Sequence, residues 1–168
     1  TRDEAFASDV QRVLDLRAEL GFGRRRTIRY VGLEEALSSA DFVSLHLPLV
    51  KTGPDSTVRF MDEARLRQMK RTAYLINTTR GPVVDEAALY RALNENRLFG
   101  AGLDVFDQEP PPADNPLLRL DNVVLTAHFA GPTWDNHVTR FRNAFDNVQR
   151  VERGEPPLWV VPELAGIV

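Results

Sequence analysis

Cysteine is absent from the 168 residues, which removes disulfide frameworks, thiolate nucleophiles and cysteine-ligated metals from consideration. The absence fits a reducing, cytoplasmic setting, and no metal site is expected. No apolar run approaches the ~20 residues needed to cross a bilayer, and no signal-peptide pattern opens the chain, so no membrane partner is expected. Charge of one sign is scarce as well: the formal net charge is −3, too small to point to nucleic acid. The one basic run, Arg24-Arg25-Arg26, follows a Gly-Phe-Gly break and reads as a solvated loop. Missing too is a G-x-G-x-x-G after an early strand, the turn that lets backbone approach a pyrophosphate. Gly21-Phe22-Gly23 follows a helical stretch, runs into three arginines and has no third glycine. Thr1 rather than Met opens the chain, so either the start has been processed away or the chain is part of something longer.

What is present is an alternation. Asp3 to Leu20 reads as an amphipathic helix, with Phe6, Val10, Val13, Leu14 and Leu20 at helical spacing and Gly21 as its stop. Thr27 to Val31, β-branched and aromatic, predicts a strand. Leu33 to Ser39 predicts a short helix, and Phe42 to Pro48 a strand of the buried parallel kind. Asp62 can cap a helix through Met69, and Asp85 one over Glu86 to Asn94, each carboxylate accepting from orphan backbone N–H groups. Strands are expected at Thr72–Thr78, Gly100–Phe106 and Asn122–Thr126, with a short turn near Leu117. A long helix, Trp134 to Val151, carries Val138, Phe141, Phe145, Val148 and Val151 on one stripe. About five strands alternating with five or six helices predict an α/β fold with a mostly parallel sheet, and no linker dividing the chain is visible.

In open α/β sheets, ligands bind outside the carboxyl ends of the strands. Those ends here are His46-Leu47-Pro48, Thr78-Thr79-Arg80-Gly81, Asp104-Val105-Phe106 and Thr126-Ala127-His128, with Glu109 in the loop after one of them. An arginine fork pairs bidentately with a carboxylate. A histidine moves its proton near neutral pH, and a carboxylate beside it stabilises the imidazolium, so that it can donate to a ketone being reduced. Anion holder and tuned acid/base suit interconversion of a 2-oxo and a 2-hydroxy acid, for which the hydride carrier must be borrowed. Blander roles stand beside these. Asp104 can cap the turn after its strand, His46 can be a packed strand-end residue, and His137 reads as a plain helical surface residue.

Three segments, Leu75-Ile76-Asn77-Thr78-Thr79-Arg80-Gly81-Pro82-Val83-Val84-Asp85, Gly102-Leu103-Asp104-Val105-Phe106-Asp107-Gln108-Glu109-Pro110 and Asn122-Val123-Val124-Leu125-Thr126-Ala127-His128-Phe129-Ala130-Gly131, resemble the arginine, glutamate and histidine segments of the D-isomer-specific 2-hydroxyacid dehydrogenases. The likeness runs from about Leu33 to Pro162, in the family's order and spacing. It implies a Rossmann-like three-layer sandwich, truncated at its N-terminal side, and NAD as cofactor with NADP possible. It implies Arg80 on the substrate carboxylate, His128 as general acid/base and Glu109 as its tuning partner. Asp104 would contact the nicotinamide carboxamide, while His46, Pro48, Thr78 and Ala130-Gly131 would line the cofactor.

Two departures accompany the resemblance. Ala127 stands where the family usually has proline, and the glycine loop with its companion acidic residue would lie upstream of Thr1. Residues 1–168 are therefore expected to be part of a dinucleotide-binding domain, with residues 152–168 a tail that returns to a substrate domain outside this sequence. The parent would be a homodimer acting on a small 2-oxo or 2-hydroxy acid, and the 168 residues alone would be inactive. The same superfamily also includes dinucleotide-gated corepressors, so a non-catalytic module or a structural remnant is the alternative.

Overall fold

The computed structural model describes residues 2–131, 133–158 and 160, with residues 2–4 as backbone only. The chain forms two compact units, one ending at Val124 and one beginning at Leu125. Three parallel strands make the centre of the first. β1 (Phe42–Leu45), β2 (Tyr74–Asn77) and β3 (Gly100–Leu103) run in register, Phe42 beside Tyr74 beside Gly100 at one end and Leu45 beside Asn77 beside Leu103 at the other. β4 (Val123–Leu125) follows β3 in the order β1-β2-β3-β4, and next to it the Ala101 N–H donates to the Asn122 carbonyl at 3.1 Å. Parallel neighbours cannot be joined by a hairpin, so a helical crossover separates each pair. This is the α/β arrangement with a parallel sheet expected from the alternation of elements, and the Rossmann-like fold that the resemblance implied.

The chain opens with α1 (Arg2–Glu19). The crossover helices owe their starts to the residues the sequence marked. Asp62 accepts from the Arg65 N–H (2.9 Å) to open α3 (Glu63–Gln68), and Asp85 accepts from the Ala88 N–H (2.9 Å) to open α4 (Glu86–Asn94). With α2 (Leu33–Ser39) and a 3₁₀ turn over Pro116–Arg119, they form one layer on one face of the sheet. Leu37, Leu66, Leu89, Leu93 and Leu117 from that layer meet Leu45, Leu75 and Leu103 from the strands in a single core. Each such side chain, fully buried, contributes about 1.5–3 kcal/mol.

Because side chains alternate along a strand, register fixes what the other face holds. It carries Phe42, Ser44, Tyr74, Ile76, Gly100 and Gly102. Phe42 is 65% exposed and Val124 71% exposed, so β1 is half-covered rather than buried throughout as its composition suggested. Phe42 stacks on Tyr74 with ring centroids 5.0 Å apart, and Phe99 meets Tyr74 edge-on at 5.1 Å.

Three further expectations are corrected. Thr27 to Val31 is not a strand. At its start a side chain stands in place of a ladder: Gln11 Nε2 donates to the Arg26 carbonyl (2.8 Å) and the Ile28 N–H donates to Gln11 Oε1 (2.7 Å). In α1, Val10 and Leu14 are half-buried, whereas Phe6, Val13 and Leu20 are exposed. The Gln11 contacts hold the returning chain against the Val10 and Leu14 side and leave the other side open. In the second unit, α5 (Trp134–Glu152) forms where its stripe predicted, its first turn capped by Thr133 Oγ1 accepting from the Asn136 N–H (3.2 Å), yet none of its residues is buried. Trp159 and residues 161–168 of the predicted tail lie outside the described residues. No helix among the described residues is long and apolar enough to cross a membrane.

Candidate active site

The in-register ends of β1, β2 and β3 put His46, Thr78 and Asp104 level with one another, each one residue beyond its strand. His46 is exposed, with Nε2 2.9 Å from Ser44 Oγ. Pro48 is exposed too, and its carbonyl accepts from Thr57 Oγ1 at 2.7 Å, tying the loop after β1 to residues downstream. Thr78 is exposed, and Asp104 is buried at 3% exposure with its N–H donating to the Asn77 carbonyl (3.0 Å).

Arg80 is held by a buried amide. Asn77, 1% exposed, ends β2 and turns its side chain into the following loop. Its Oδ1 accepts from the Thr79 N–H (3.1 Å) and from Thr79 Oγ1 (2.8 Å), and its Nδ2 donates to the Arg80 carbonyl (3.0 Å). Asparagine favours such local turns because its side chain reaches its own backbone two residues on. Arg80 then caps the 3₁₀ turn Gly81–Val83 in extended backbone, its guanidinium exposed and Nη1 donating to the Thr79 carbonyl (2.6 Å).

Gly81 joins this loop to the next. A Cβ at that position would stand 1.8 Å from the Phe106 carbonyl carbon and 2.3 Å from the Asp107 nitrogen, so only glycine permits the approach. Glu109 is anchored within the same second loop, where its Oε1 accepts from the Phe106 N–H (3.1 Å). Glu86 reinforces it from α4, accepting from the Asp107 N–H (2.5 Å) and from Asn115 Nδ2 (3.1 Å). The Arg80 and Glu109 loops therefore touch backbone to backbone, and each is fixed by a carboxylate or amide of its own.

His128, Ala130 and Gly131 belong to the second unit and are exposed. His128 has φ +58, in the left-handed region that few non-glycine residues adopt. The Gly131 carbonyl accepts from the Thr133 N–H (3.1 Å) and from Asn136 Nδ2 (2.9 Å), which links the segment to the start of α5.

A family model for the D-isomer specific 2-hydroxyacid dehydrogenase, NAD binding domain, matches residues 15–130. The chain belongs to this family. A glyoxylate reductase of Korarchaeum cryptofilum is 49% identical over 146 residues, covering 85% of this chain and 40% of the relative. The crystal structure of D-lactate dehydrogenase with NAD+ from Lactobacillus jensenii superposes with a TM-score of 0.72 at 32% identity, over 79% of this chain and 42% of that one. A D-isomer specific 2-hydroxyacid dehydrogenase from Xanthobacter autotrophicus Py2, in complex with NADPH and MES, superposes with a TM-score of 0.64 at 39% identity, over 78% of this chain and 52% of that one. The chain spans about two-fifths of the length of the curated relatives it matches.

Within this dehydrogenase domain, two residues that sequence reasoning left without a role organise the site. Asn77 is an uncharged polar residue closing an apolar strand, a signal for an amide that turns the chain. Gly81 lies between an arginine and a proline, and its necessity rests on a contact with residues 25 positions away, which no local pattern displays.

Proposed function

We propose that this chain is part of an NAD(P)-dependent D-2-hydroxyacid dehydrogenase, that the parent reduces a small 2-oxo acid, and that glyoxylate is the first substrate to try. Support comes from the family membership, from the glyoxylate reductases among its relatives and, within the chain, from one observation: the backbone contact at Gly81 that makes the Arg80 and Glu109 loops a single platform at the carboxyl edge of the parallel strands. The nicotinamide half of the cofactor suits this edge, where His46 and Thr78 are exposed and level, beside an exposed guanidinium. The pyrophosphate half finds no glycine turn in the sequence, so the 168 residues alone bind the dinucleotide weakly and do not turn over.

When bound, the dinucleotide supplies the hydride. Arg80 holds the substrate carboxylate in its planar fork and turns one face of the 2-oxo group toward the ring. His128 donates the proton that the carbonyl oxygen needs as it becomes a hydroxyl, and takes it back in the reverse direction. Glu109, its carboxylate set by the Phe106 N–H, is the acid partner this reading assigns to His128 in that transfer. The parent works as a homodimer, with its substrate domain supplied by chain outside this sequence.

The test is kinetic, in the longer polypeptide this reading requires, with glyoxylate, hydroxypyruvate and pyruvate as substrates. Loss of a charge-assisted pair costs about 1.5–3 kcal/mol, so Arg80→Ala should raise the KM for the 2-oxo acid on the order of 10- to 100-fold and leave the cofactor KM within about threefold. Equal effects on both would remove Arg80 from the substrate. Glu109→Gln should lower kcat for reduction more than it changes either KM, and an unchanged kcat would separate Glu109 from His128.

A further inference from the structure

The arginine run read from the sequence as a solvated loop is pinned at several points. After α1 ends at Glu19, the chain turns back through Gly21 (φ +78) and Gly23 (φ +117), both in the left-handed region. The Phe22 N–H donates to the Arg17 carbonyl (2.8 Å), and Gln11 clamps the returning segment at Arg26 and Ile28. Arg25 Nε donates to the Asp15 carboxylate at 3.0 Å and, as the first cause, holds that carboxyl below its usual range. Arg24 and Arg26, the neighbours of Arg25 in sequence, line a cavity of about 180 Å³ with Arg17, Leu14, Phe22 and Gly23.

No carboxylate lines this cavity, and Arg17, Arg24 and Arg26 form no ion pair among the described residues. The carboxyl end of α1 offsets Arg17 in part, since a helix end carries roughly half a negative charge. Arg24 and Arg26 have no such offset. Three arginines on one small volume carry charge of one sign, and an anion within it would relieve their mutual repulsion. Guanidinium forks match phosphate oxygens in geometry as well as in charge. The cavity falls below the roughly 300–1,000 Å³ of a pocket that swallows a drug-sized ligand, so it suits a charged head group whose remainder stays outside, beside the 67% exposed ring of Phe22. A net charge of −3 gives the chain no general attraction for polyanions, so recognition has to be local.

We infer that Arg17, Arg24 and Arg26 form a binding site for a phosphoryl group, either free phosphate or the phosphate monoester of a small metabolite. The site stands apart from the dehydrogenase reading, because its occupancy is measured without turnover.

The experiment is calorimetric titration of the whole 168-residue chain with inorganic phosphate, NADP+ and NAD+, against chloride at matched ionic strength. The double variant R24Q/R26Q removes the loop cations, and Arg12→Gln, whose native side chain faces Asp9 at 3.8 Å outside the cavity, is the control. Expected is one phosphate site, weakened at least tenfold in R24Q/R26Q and unchanged in Arg12→Gln, with circular dichroism and Tm the same in all three proteins. NADP+ binding tighter than NAD+ by a margin that vanishes in R24Q/R26Q assigns the phosphate to the dinucleotide. Equal affinities for the two dinucleotides beside a clear phosphate isotherm assign it to a free phosphate compound. Phosphate and NADP+ heats no larger than those of chloride and NAD+, or R24Q/R26Q isotherms that overlay those of the unmodified chain, overturn the inference.

Discussion

Leu75 and Ile76 are neighbours on β2 with similar side chains, yet they meet different surroundings. Leu75 is fully buried in the core shared by the strands and the helical layer. Ile76 shares its face with Phe42 and two glycines, and no helix of the covering layer reaches it. One set of strands thus has a close-packed side and an open side. Apolar composition alone does not reveal which is which, because a parallel strand is written in the same residues whether one face or both are covered. Stability should therefore be unevenly distributed, concentrated on the α2–α4 side and on the loop contacts that extend it.

The largest effect is expected at Gly81, where a methyl group would overlap the Phe106 carbonyl. Gly81→Ala should cost more than about 4 kcal/mol, since backbone rather than a flexible side chain must give way, and it should separate the Arg80 loop from the Glu109 loop. A Tm within a few degrees of the parent would show that the contact is not kept in solution. Next comes Leu75→Ala, a truncation in the packed core, at about 3 kcal/mol by chemical denaturation. Val124→Ser on the open side should change stability by no more than about 0.5 kcal/mol. If it costs as much as Leu75→Ala, something covers that face in solution and the contrast fails.

The smallest effect lies at the top of the helical layer. Glu63 bridges Arg67 (2.6 Å) and Arg91 (2.8 Å), and their hydrogen bonds, Arg67 first, hold its carboxyl at about 2 instead of 4.5. A carboxyl depressed in the folded state stabilises it fully above its unfolded value and loses that contribution as the pH falls. The bridge should therefore matter above about pH 4.5 and fade toward pH 2. The pair is solvent-exposed, so the effect is small. Glu63→Gln should lower the neutral plateau slightly, flatten the acid limb in that window and leave stability near pH 2 unchanged.

Legibility in the sequence tracked how local each cause was. α4 was readable from its cap at Asp85 to its end at Asn94, because capping and helical spacing are decided within a few residues. The carboxyl-end positions of His46, Thr78, Arg80, Asp104 and Glu109 followed from strand order, and the register of β1–β3 aligns the first strand-end residues. Thr27 to Val31 has strand-like residues, but a strand exists only with a ladder partner, and here Gln11 occupies the backbone groups instead. The α5 stripe predicted a helix correctly; what a stripe faces is a tertiary matter that periodicity does not encode. Asn77 and Gly81 escaped notice for the same reason, since one works through its burial and the other through a remote backbone.

The left-handed backbone of His128 determines which knock-out will be clean. Alanine there would remove the imidazole and keep the Cβ that makes φ +58 costly, on the order of 1 kcal/mol, whereas glycine removes both. His128→Gly is thus the deletion that leaves the loop its native path, and if His128 carries the proposed proton transfer, free imidazole added to the assay of the longer polypeptide should restore turnover. Chemical rescue of the glycine protein, compared with the alanine one, would separate what the ring does from what the bend does.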